Sequence, residues 1–302
     1  MNRPSIVMMC GLPGSGKSYM AKILSERYDA NIHSSDAIRE ELTGDINNQD
    51  ANDLVFQTLH KRIKEDLNNG KNCIYDSCNI SYKRRMAFLR ELQNISCEKS
   101  CVVMATPYEK CLENNAKRER VVPEHVIKRM YMAFDIPWYY EGWDEIVISY
   151  CDTDYRLPNN FYLKNKHFNQ HNTHHTLTLG EHCAAVCTSL NNTTIELKTA
   201  GMLHDCGKPF CKTFENTKGE ITEQAHYYNH EHTGSYDSLF YREDFSHRTD
   251  VLYIAVLIRW HMQPYFWEKD NNEKLQNKYR KLWGEDLYND IMQLHEADLA
   301  AH

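Results

Sequence analysis

Hydrophobic positions in the first half of the chain fall into short runs, and stretches with helical periodicity separate those runs. The apolar runs rich in β-forming residues are 6–10, 72–75, 101–105 and 145–148. The helical patterns are 18–28, 54–67, 82–92, 111–117 and 124–132. Short apolar runs that alternate with helices predict a parallel sheet with helices on both faces. We therefore predict an α/β domain in this half.

The second half has a different pattern, in which helical periodicity dominates and β-rich alternations are few. The helical patterns are 181–189, 195–203, 250–260 and 286–301. Residues 1–152 contain three histidines and residues 153–302 contain thirteen, which indicates a second chemistry in the second half. We predict an α/β domain over 1–152, a polar linker over 153–172 and an all-α domain over 173–302.

A glycine-rich segment follows the first predicted strand and precedes the first predicted helix. Residues 11–18 read GLPGSGKS, which fits the pattern G-x-x-x-x-G-K-S. In such a loop the backbone N–H groups of Gly14, Ser15 and Gly16 surround a β-phosphate. Lys17 reaches the β- and γ-phosphates, and the Ser18 hydroxyl is a ligand of Mg²⁺. The alternative, a glycine turn that binds no ligand, does not need this lysine and serine. We predict a site for ATP or another NTP with Mg²⁺.

Charged residues follow two further strand positions, where ligands of parallel sheets bind. Asp36 and Arg39 are three residues apart, so on a helix they face the same side. Such an aspartate can accept a proton from an attacking hydroxyl, and such an arginine can hold a phosphate of the acceptor. Asp36 as the N-cap of a helix is the alternative. Asp76 follows the run 72–75 and is expected to support Mg²⁺ or Ser18 through water.

Two short basic segments are candidates for contact with polyanions. Arg118 and Arg120 lie just before Pro123, where a mobile lid over the NTP would neutralise the transferring phosphoryl group. The other segment is 83–85, which reads KRR. Solvated basic helix ends are the alternative for both. The formal net charge of −7 does not indicate a nucleic-acid binder overall, so any such site must be local.

Residues 5–135 resemble the 5′-hydroxyl polynucleotide kinases of RNA repair. The resemblance rests on the glycine loop, the D-x-x-R pair at 36–39, the aspartate and asparagine at 76 and 79, and R-x-R-x-V-P at 118–123. It implies that Asp36 is the general base, that Arg39 contacts the acceptor's phosphate and that Arg118 and Arg120 form the lid. Two positions depart from the family pattern. Cys78 replaces a threonine, and Asn114 stands where the family often has an arginine.

Histidine and aspartate occur in the order H…HD…D in the second half, at His182, His204, Asp205 and Asp298. Imidazole and carboxylate groups from separate helices can converge on a divalent metal in a bundle core. Bound metal lowers the pKa of a water and orients a phosphate oxygen. The alternative is a set of structural histidines that are satisfied by hydrogen bonds.

This order resembles the HD phosphohydrolase superfamily, and the surrounding sequence resembles the HD domains of some tRNA nucleotidyltransferases. By that resemblance, His230 and His261 match positions that supply a second metal or a phosphate contact. A polar role behind the metal ligands is the alternative for each. Lys208 follows in the motif H-D-x-G-K and would bind the scissile phosphate, with a surface lysine as its alternative. One or two divalent transition-metal ions are therefore expected in this half.

Together the two halves resemble the bifunctional polynucleotide kinase/HD-domain phosphohydrolases, although the order of the domains is the reverse. The resemblance implies phosphorylation of a 5′-OH and removal of a 2′,3′-cyclic phosphate or a 2′- or 3′-phosphate. It also implies RNA or DNA ends as partners and a separate ligase. Two alternatives remain open. One is a nucleoside or small-metabolite kinase fused to an HD nucleotidase. The other is a regulatory NTP-binding module with an HD scaffold.

Composition narrows the setting of these activities. Hydrophobic residues make up 41% and charged residues 25% of the chain, which is ordinary for a globular protein. No apolar run approaches the ~18–20 residues that span a bilayer, and the N-terminus does not read as a signal peptide. The eleven cysteines are then expected as reduced thiols. We predict a cytoplasmic protein without a membrane partner.

Overall fold

The computed structural model describes residues 3–151, 161–172, 176–241 and 249–301. The chain divides into two compact units. The first contains 1–130 and 137–153, and the second contains 131–136 and 154–302. Residues 153–160 of the predicted linker lie outside the described residues.

The first unit has an α/β fold. Its strands are β1 (Ser5–Cys10), β2 (Ala30–Ser34), β3 (Asn72–Asp76), β4 (Glu98–Ala105) and β5 (Glu145–Tyr150). Its helices are α1 (Lys17–Tyr28), α2 (Ser35–Thr43), α3 (Asn52–Asn68), α4 (Tyr82–Glu91), α5 (Tyr108–Ala116) and α6 (Glu124–Tyr131). The strands form one parallel sheet in the order β2-β3-β1-β4-β5. The predicted parallel α/β fold of the N-terminal half is confirmed.

The strand order places the glycine loop at the centre of the sheet. β1 lies between β3 and β4. The connection after β1 runs to one side of that strand, towards β2, and the connection after β3 runs to its other side, towards β4. In such sheets, ligands bind beyond the carboxyl ends of the strands at this switch point. The loop between β1 and α1 therefore lies where a ligand is expected. Gly14 has a φ of 82°, and a Cβ there would lie 2.2 Å from the carbonyl oxygen of Cys111, so only glycine fits.

The strand before Asp36 is β2, at the edge of the sheet, which the sequence placed around Ile32 but without a clear apolar run. It reads Ala-Asn-Ile-His-Ser, and Ile32 is its only large aliphatic side chain. Ile32 is exposed and Asn31 is polar, because an edge strand does not need two apolar faces. The apolar core next to β2 consists of Met9, Ala21, Ala30, Ile74, Val102 and Met104.

One of the two basic segments of the sequence has a buried arginine. Lys83 and Arg84 are exposed on α4, but Arg85 is fully buried. Its guanidinium makes two hydrogen bonds to Glu141, at 2.8 and 2.7 Å. It also donates to the carbonyl oxygen of Asn79 at 2.9 Å. Arg85 thus anchors the loop after β3 instead of forming part of a basic surface.

The described part of the second unit is mainly helical. Its helices are α7 (Phe161–Asn165), α8 (Leu179–Ser189), α9 (Ile195–Leu203), α10 (Lys208–Cys211), α11 (His230–Asp237), α12 (Val251–Trp260), α13 (Gln263–Lys269), α14 (Glu273–Trp283) and α15 (Glu285–Ala300). A small hairpin, β6 (Thr213–Glu215) with β7 (Ile221–His226), departs from the all-α prediction. The hairpin was missed because most of its positions are exposed and polar. Over the described ranges, no helix combines the length and the hydropathy that crossing a bilayer requires.

Candidate nucleotide and metal sites

The polar side chains of the glycine loop contact the loop's own backbone and the end of β3. Lys17 Nζ donates to the carbonyl oxygen of Leu12 at 2.7 Å, and Ser18 Oγ donates to Asp76 Oδ2 at 2.8 Å. The buried hydroxyl of Ser15 finds no hydrogen-bond partner among the described residues. Helix α1 begins at Lys17, directly after Gly16, so its N–H groups and its positive end lie at the loop. An orphaned buried hydroxyl, a lysine and a helix N-terminus fit a phosphate group.

Asp76, the last residue of β3, lies beside the serine that would bind Mg²⁺. Burial raises the pKa of Asp76, although the Ser18 hydrogen bond and the Lys17 charge oppose the rise. The loop behind it is fixed by Asn79, which has a φ of 47° and donates to the carbonyl oxygen of Met9 at 2.9 Å. At the family's threonine position, Cys78 accepts a backbone hydrogen bond from Gly11 at 2.9 Å. Ser18 and Asp76 are the residues that would hold the ion.

Helix α2 carries the D-x-x-R pair on one turn. Its N-cap is Ser34, whose hydroxyl accepts from the backbone N–H of Ala37, so capping does not explain Asp36. Arg39 Nη1 donates to Asp36 Oδ1 at 3.1 Å. Arg120 Nη1 lies 2.7 Å from the other carboxylate oxygen, Oδ2. The carboxylate of Asp36 is thus held between two guanidinium groups, a charge pattern that suits an acceptor with a phosphate.

Two asparagines contact the arginines beside Asp36, and a third contacts the glycine loop. No sequence motif had singled out the first two. Asn52 Oδ1 accepts from Arg39 Nη2 at 2.6 Å, and Asn47 Oδ1 accepts from Arg120 Nε at 3.0 Å. Asn114, the departure from the family pattern, donates to the carbonyl oxygen of Gly14 at 3.0 Å. It therefore ties α5 to the glycine loop. Uncharged amides such as Asn47 and Asn52 carry no recognisable spacing, so only the folded structure identifies them.

The other candidate lid residue, Arg118, has an exposed side chain in the segment between α5 and α6. Burial raises the pKa of Asp76, and the charge of Arg118 opposes that rise less strongly than Ser18 and Lys17 do. The two candidate lid arginines are therefore in different settings. Arg120 is bonded to Asp36, whereas Arg118 extends into solvent near the loop after β3.

In the second unit, the six candidate metal ligands form one buried cluster around the Asp205 carboxylate. Asp205 Oδ2 lies 3.3 Å from His204 Nε2 and 3.6 Å from His182 Nε2. Asp298 Oδ1 completes this side, 3.0 Å from His182 Nε2. The other oxygen of Asp205, Oδ1, lies 3.2 Å from His230 Nε2.

His261 Nε2 joins the second side of the cluster, 3.8 Å from Asp205 Oδ1 and 3.2 Å from His230 Nε2. Two groups of possible ligand atoms therefore share Asp205. One is His182, His204 and Asp205, and the other is Asp205, His230 and His261. Within each group the ligand atoms all lie within 4.8 Å of one another. This arrangement has room for one ion on each side of a shared carboxylate.

The backbone orients all four imidazoles in the same sense. Each Nδ1 faces a carbonyl oxygen at 2.7–3.3 Å, namely that of Ala301, Gly201, Tyr227 or Ile258 for His182, His204, His230 and His261, respectively. A ring whose Nδ1 carries the hydrogen leaves the Nε2 lone pair free for a metal. Four Nε2 atoms and two carboxylates then converge. This donor set suits a divalent transition metal better than it suits Mg²⁺.

The charges in this cluster perturb one another strongly. Burial alone would raise the pKa of Asp205, but the Lys208 ammonium and His204 bring that pKa well below the usual carboxyl range. Burial opposes protonation of His204, yet Asp205 and Asp298 raise its pKa well above that of free histidine. Burial, with the neighbouring imidazoles of His230 and His204, lowers the pKa of His261 to about 3. A buried centre of this kind is typical of a functional site.

Lys208 is a buried part of the cluster, so the alternative of a surface lysine is wrong. Its Nζ lies 2.6 Å from Asp205 Oδ2 and donates to Gln170 Oε1 at 2.9 Å. The ring of Tyr227 faces the ammonium, 5.4 Å from Nζ to the ring centroid. Just before this lysine, a Cβ on Gly207 would lie 2.2 Å from the carbonyl oxygen of His230, so the close approach of α11 needs glycine.

Tyr265 is a further residue of this site that sequence reasoning missed. Its hydroxyl donates to Asp298 Oδ2 at 2.9 Å, which leaves Oδ1 facing His182 and His204. Its ring packs edge-on against His295, with 4.4 Å between the ring centroids. Hydrogen-bond donors behind a metal ligand fix its orientation. The aromatic pattern around position 265 reads as ordinary helix core, so no sequence signal marked it.

A third histidine–carboxylate group lies away from both sites, on the sheet. His33, Asp66 and Cys73 place possible ligand atoms within 4.8 Å of one another. Hydrogen bonds and charge pairing already account for its carboxylate. Asp66 accepts from Asn31 at 2.8 Å, contacts His33 at 3.0 Å and has Lys71 Nζ at 3.8 Å. Burial raises the pKa of Cys73 to about 12, which disfavours a thiolate ligand.

Known proteins match the first unit. Residues 6–137 match the AAA domain family. Over 148 residues the chain is 30% identical to L-seryl-tRNA(Sec) kinase of Methanococcus maripaludis, which covers 46% of this chain and 56% of that protein. The chain thus spans little more than half the length of this relative.

Solved structures match about half of the chain. A chain of the Pnkp1/Rnl/Hen1 RNA repair complex matches with a TM-score of 0.38 and 19% identity, covering 43% of each chain. A gluconokinase from Sinorhizobium meliloti matches with a TM-score of 0.35 and 14% identity, covering 50% of this chain and 84% of that chain. The first unit therefore combines an AAA domain match over residues 6–137 with a parallel α/β sheet and a glycine loop, which fits a P-loop NTP-binding domain.

Proposed function

We propose that this chain is a bifunctional enzyme that heals nucleic-acid ends. Its first unit would phosphorylate a 5′-OH end, and its second unit would remove a 2′,3′-cyclic phosphate or a 2′- or 3′-phosphate. The observation that carries the proposal is the buried cluster around Asp205, because it gives a P-loop kinase a second, metal-competent centre in the same chain. A non-catalytic scaffold has no need of four imidazoles with the same orientation. RNA or DNA ends are the proposed partners, with a separate ligase to join the healed ends.

In the kinase unit, each charged side chain has a separate task. The bound NTP with Mg²⁺ supplies the phosphoryl group and neutralises its charge. Lys17 and Ser18 hold the triphosphate end of the site, and Asp76 orients Ser18. Asp36 accepts the proton of the acceptor hydroxyl through whichever oxygen a guanidinium releases. Arg39 holds a phosphate of the acceptor, and Arg118 and Arg120 are the proposed lid.

In the second unit, Asp205 would be shared between two metal positions. The metal, when bound, supplies a positive charge that activates water and polarises a phosphate ester. His182, His204 and Asp298 would hold the first position, and His230 and His261 would hold the second. Lys208, beside Asp205, adds a fixed positive charge to the centre, where a phosphate anion must enter.

A second acceptor is favoured by one comparison. The relative from Methanococcus maripaludis is named as a kinase of L-seryl-tRNA(Sec), so its acceptor is a seryl group on an RNA. The same Asp36 and Arg39 geometry would serve a hydroxyl on an aminoacyl group. Free nucleosides and small metabolites are further candidate acceptors, because a net charge of −7 gives no bulk attraction for a polyanion.

A competition between acceptors tests the proposal. Oligonucleotides with a 5′-OH, seryl-tRNA, nucleosides and gluconate would be supplied together at equal concentration with labelled NTP and Mg²⁺. We expect the oligonucleotide to take nearly all of the label, because a polynucleotide presents a phosphate to Arg39 next to the attacked hydroxyl. Preferential labelling of seryl-tRNA would identify the second candidate. Labelling of nucleoside or gluconate alone would rule out end healing.

A further inference from the structure

The guanidinium of Arg39 is held by two partners of different charge. Nη1 donates to the Asp36 carboxylate at 3.1 Å, and Nη2 donates to the amide oxygen of Asn52 at 2.6 Å. Arg39 is only 4% exposed, and its Nε has no hydrogen-bond partner among the described residues. A buried donor without a partner is costly unless a ligand supplies an acceptor. The Nε–H is therefore one of the N–H groups of this arginine that remain for a ligand.

Asn52 is itself fixed in orientation. It is the first residue of α3, and its backbone N–H donates to the carbonyl oxygen of Gln49 at 3.2 Å. Its side-chain nitrogen donates to Gln49 Oε1 at 3.3 Å, which leaves the amide oxygen for Arg39. The plane of a guanidinium determines where its remaining N–H groups point. The contact with Asn52 thus determines how the Arg39 fork is presented.

The neutral charge of Asn52 matters as much as its position. Asp36, the one carboxylate bonded to Arg39 among the described residues, is also shared with Arg120. Because Asn52 adds no negative charge, the pair of arginines keeps a net positive charge beside the carboxylate. An aspartate at position 52 would keep the hydrogen bond but would neutralise Arg39 and repel a phosphate.

We propose that Asn52 is a positioning residue that sets the Arg39 guanidinium and thereby gives the kinase its preference for acceptors with a phosphate next to the attacked hydroxyl. This inference rests on the proposed kinase function. Asn52 contacts neither acceptor nor NTP in this account and acts through Arg39. Its loss should therefore change the KM for phosphate-bearing acceptors and leave other acceptors nearly unaffected.

The test compares adenosine 3′-monophosphate with adenosine as acceptors for wild type, Asn52→Ala, Asn52→Asp and Asn48→Ala. For Asn52→Ala we expect KM for the phosphorylated acceptor to rise about tenfold, the value of one hydrogen bond to a charged group. Both kcat and KM for adenosine should change less than twofold, which corresponds to ~0.4 kcal/mol. Asn52→Asp should raise the same KM at least as much. Asn48→Ala removes a turn contact to the backbone of Asp50 in the same segment and should leave the preference unchanged.

Four outcomes would overturn the inference. If Asn52→Ala raised KM equally for both acceptors, Asn52 would be merely structural. The same would follow if Asn48→Ala lost the preference for the phosphorylated acceptor as much as Asn52→Ala does. An unchanged preference in both Asn52 variants, with native melting temperatures, would show that Arg39 needs no such support. A wild-type enzyme that phosphorylates neither acceptor nor any 5′-OH oligonucleotide would instead refute the proposed function, and the role of Asn52 with it.

Discussion

Asp205→Ala should abolish phosphate removal and lower the metal content of the protein, while 5′ phosphorylation continues at the wild-type rate. This carboxylate faces both groups of imidazoles, with one oxygen toward each, so its removal affects both proposed metal positions at once. The variant also leaves Lys208 without its closest partner, at 2.6 Å. We expect a loss of at least about 10³-fold, equivalent to ~4 kcal/mol of transition-state stabilisation.

Metal analysis by inductively coupled plasma mass spectrometry, together with a phosphatase assay on 2′,3′-cyclic phosphate ends, provides the measurement. Glu296→Ala is the matched control, because Glu296 is an exposed carboxylate on the same helix as Asp298. The control should keep its metal and its activity. If the Asp205 variant retained both, the cluster would have no catalytic role.

Asp36→Asn should slow phosphoryl transfer by about 10²–10⁴-fold, the usual contribution of a general base. Asparagine keeps the size of the side chain and an oxygen that can accept from Arg39 or Arg120, but it cannot take the proton of the acceptor. The Kd for NTP should stay within about twofold, because Asp36 has no place in the proposed triphosphate site. A loss confined to turnover would therefore identify a base.

Single-turnover kinetics and NTP titrations on the same preparations separate these effects. Asp53→Asn on the neighbouring helix α3 is a suitable control, since Asp53 is exposed in the first turn and the replacement is chemically the same. Should NTP affinity collapse in Asp36→Asn, Asp36 would instead support the nucleotide or its metal. Turnover equal to wild type would refute the base.

Sequence patterning predicted the parts of the fold that bury apolar surface in regular spacing. The strands β1, β3 and β4 are apolar on both faces because they lie inside a covered parallel sheet. β5 lies at an edge of the sheet, and its Ile-Val-Ile run made it predictable although most of its positions are not buried. The edge strand β2 and the hairpin of β6 with β7 are polar, and hydropathy did not distinguish them from loops. Arg85 is an error of the opposite kind, because its charge predicted a surface position and the residue is buried. Glu141, from a distant segment, pairs with it in the interior.

The candidate sites divide in the same way. Residues in motifs, such as Lys17 and Asp205, were predicted because their chemistry requires a fixed spacing along the chain. Other residues orient the motif residues from a distance along the chain. Asn52 contacts Arg39 across 13 positions of sequence, and Tyr265 contacts Asp298 across 33. A hydrogen bond of this kind depends on how helices pack, and packing leaves no local pattern. The supporting residues were therefore found only in the folded structure.

The central claim is that one chain carries two independent sites for opposite ends of a nucleic-acid break. Its most direct test is a single RNA oligonucleotide with a 5′-OH and a 2′,3′-cyclic phosphate, incubated with NTP, Mg²⁺ and Mn²⁺, whose two ends are read by mass spectrometry. Wild type should phosphorylate the 5′ end and remove the phosphate from the 3′ end. Lys17→Ala should lose only the first change, and Asp205→Ala should lose only the second. Loss of both changes in either folded variant, or two unchanged ends with wild type, would contradict the account.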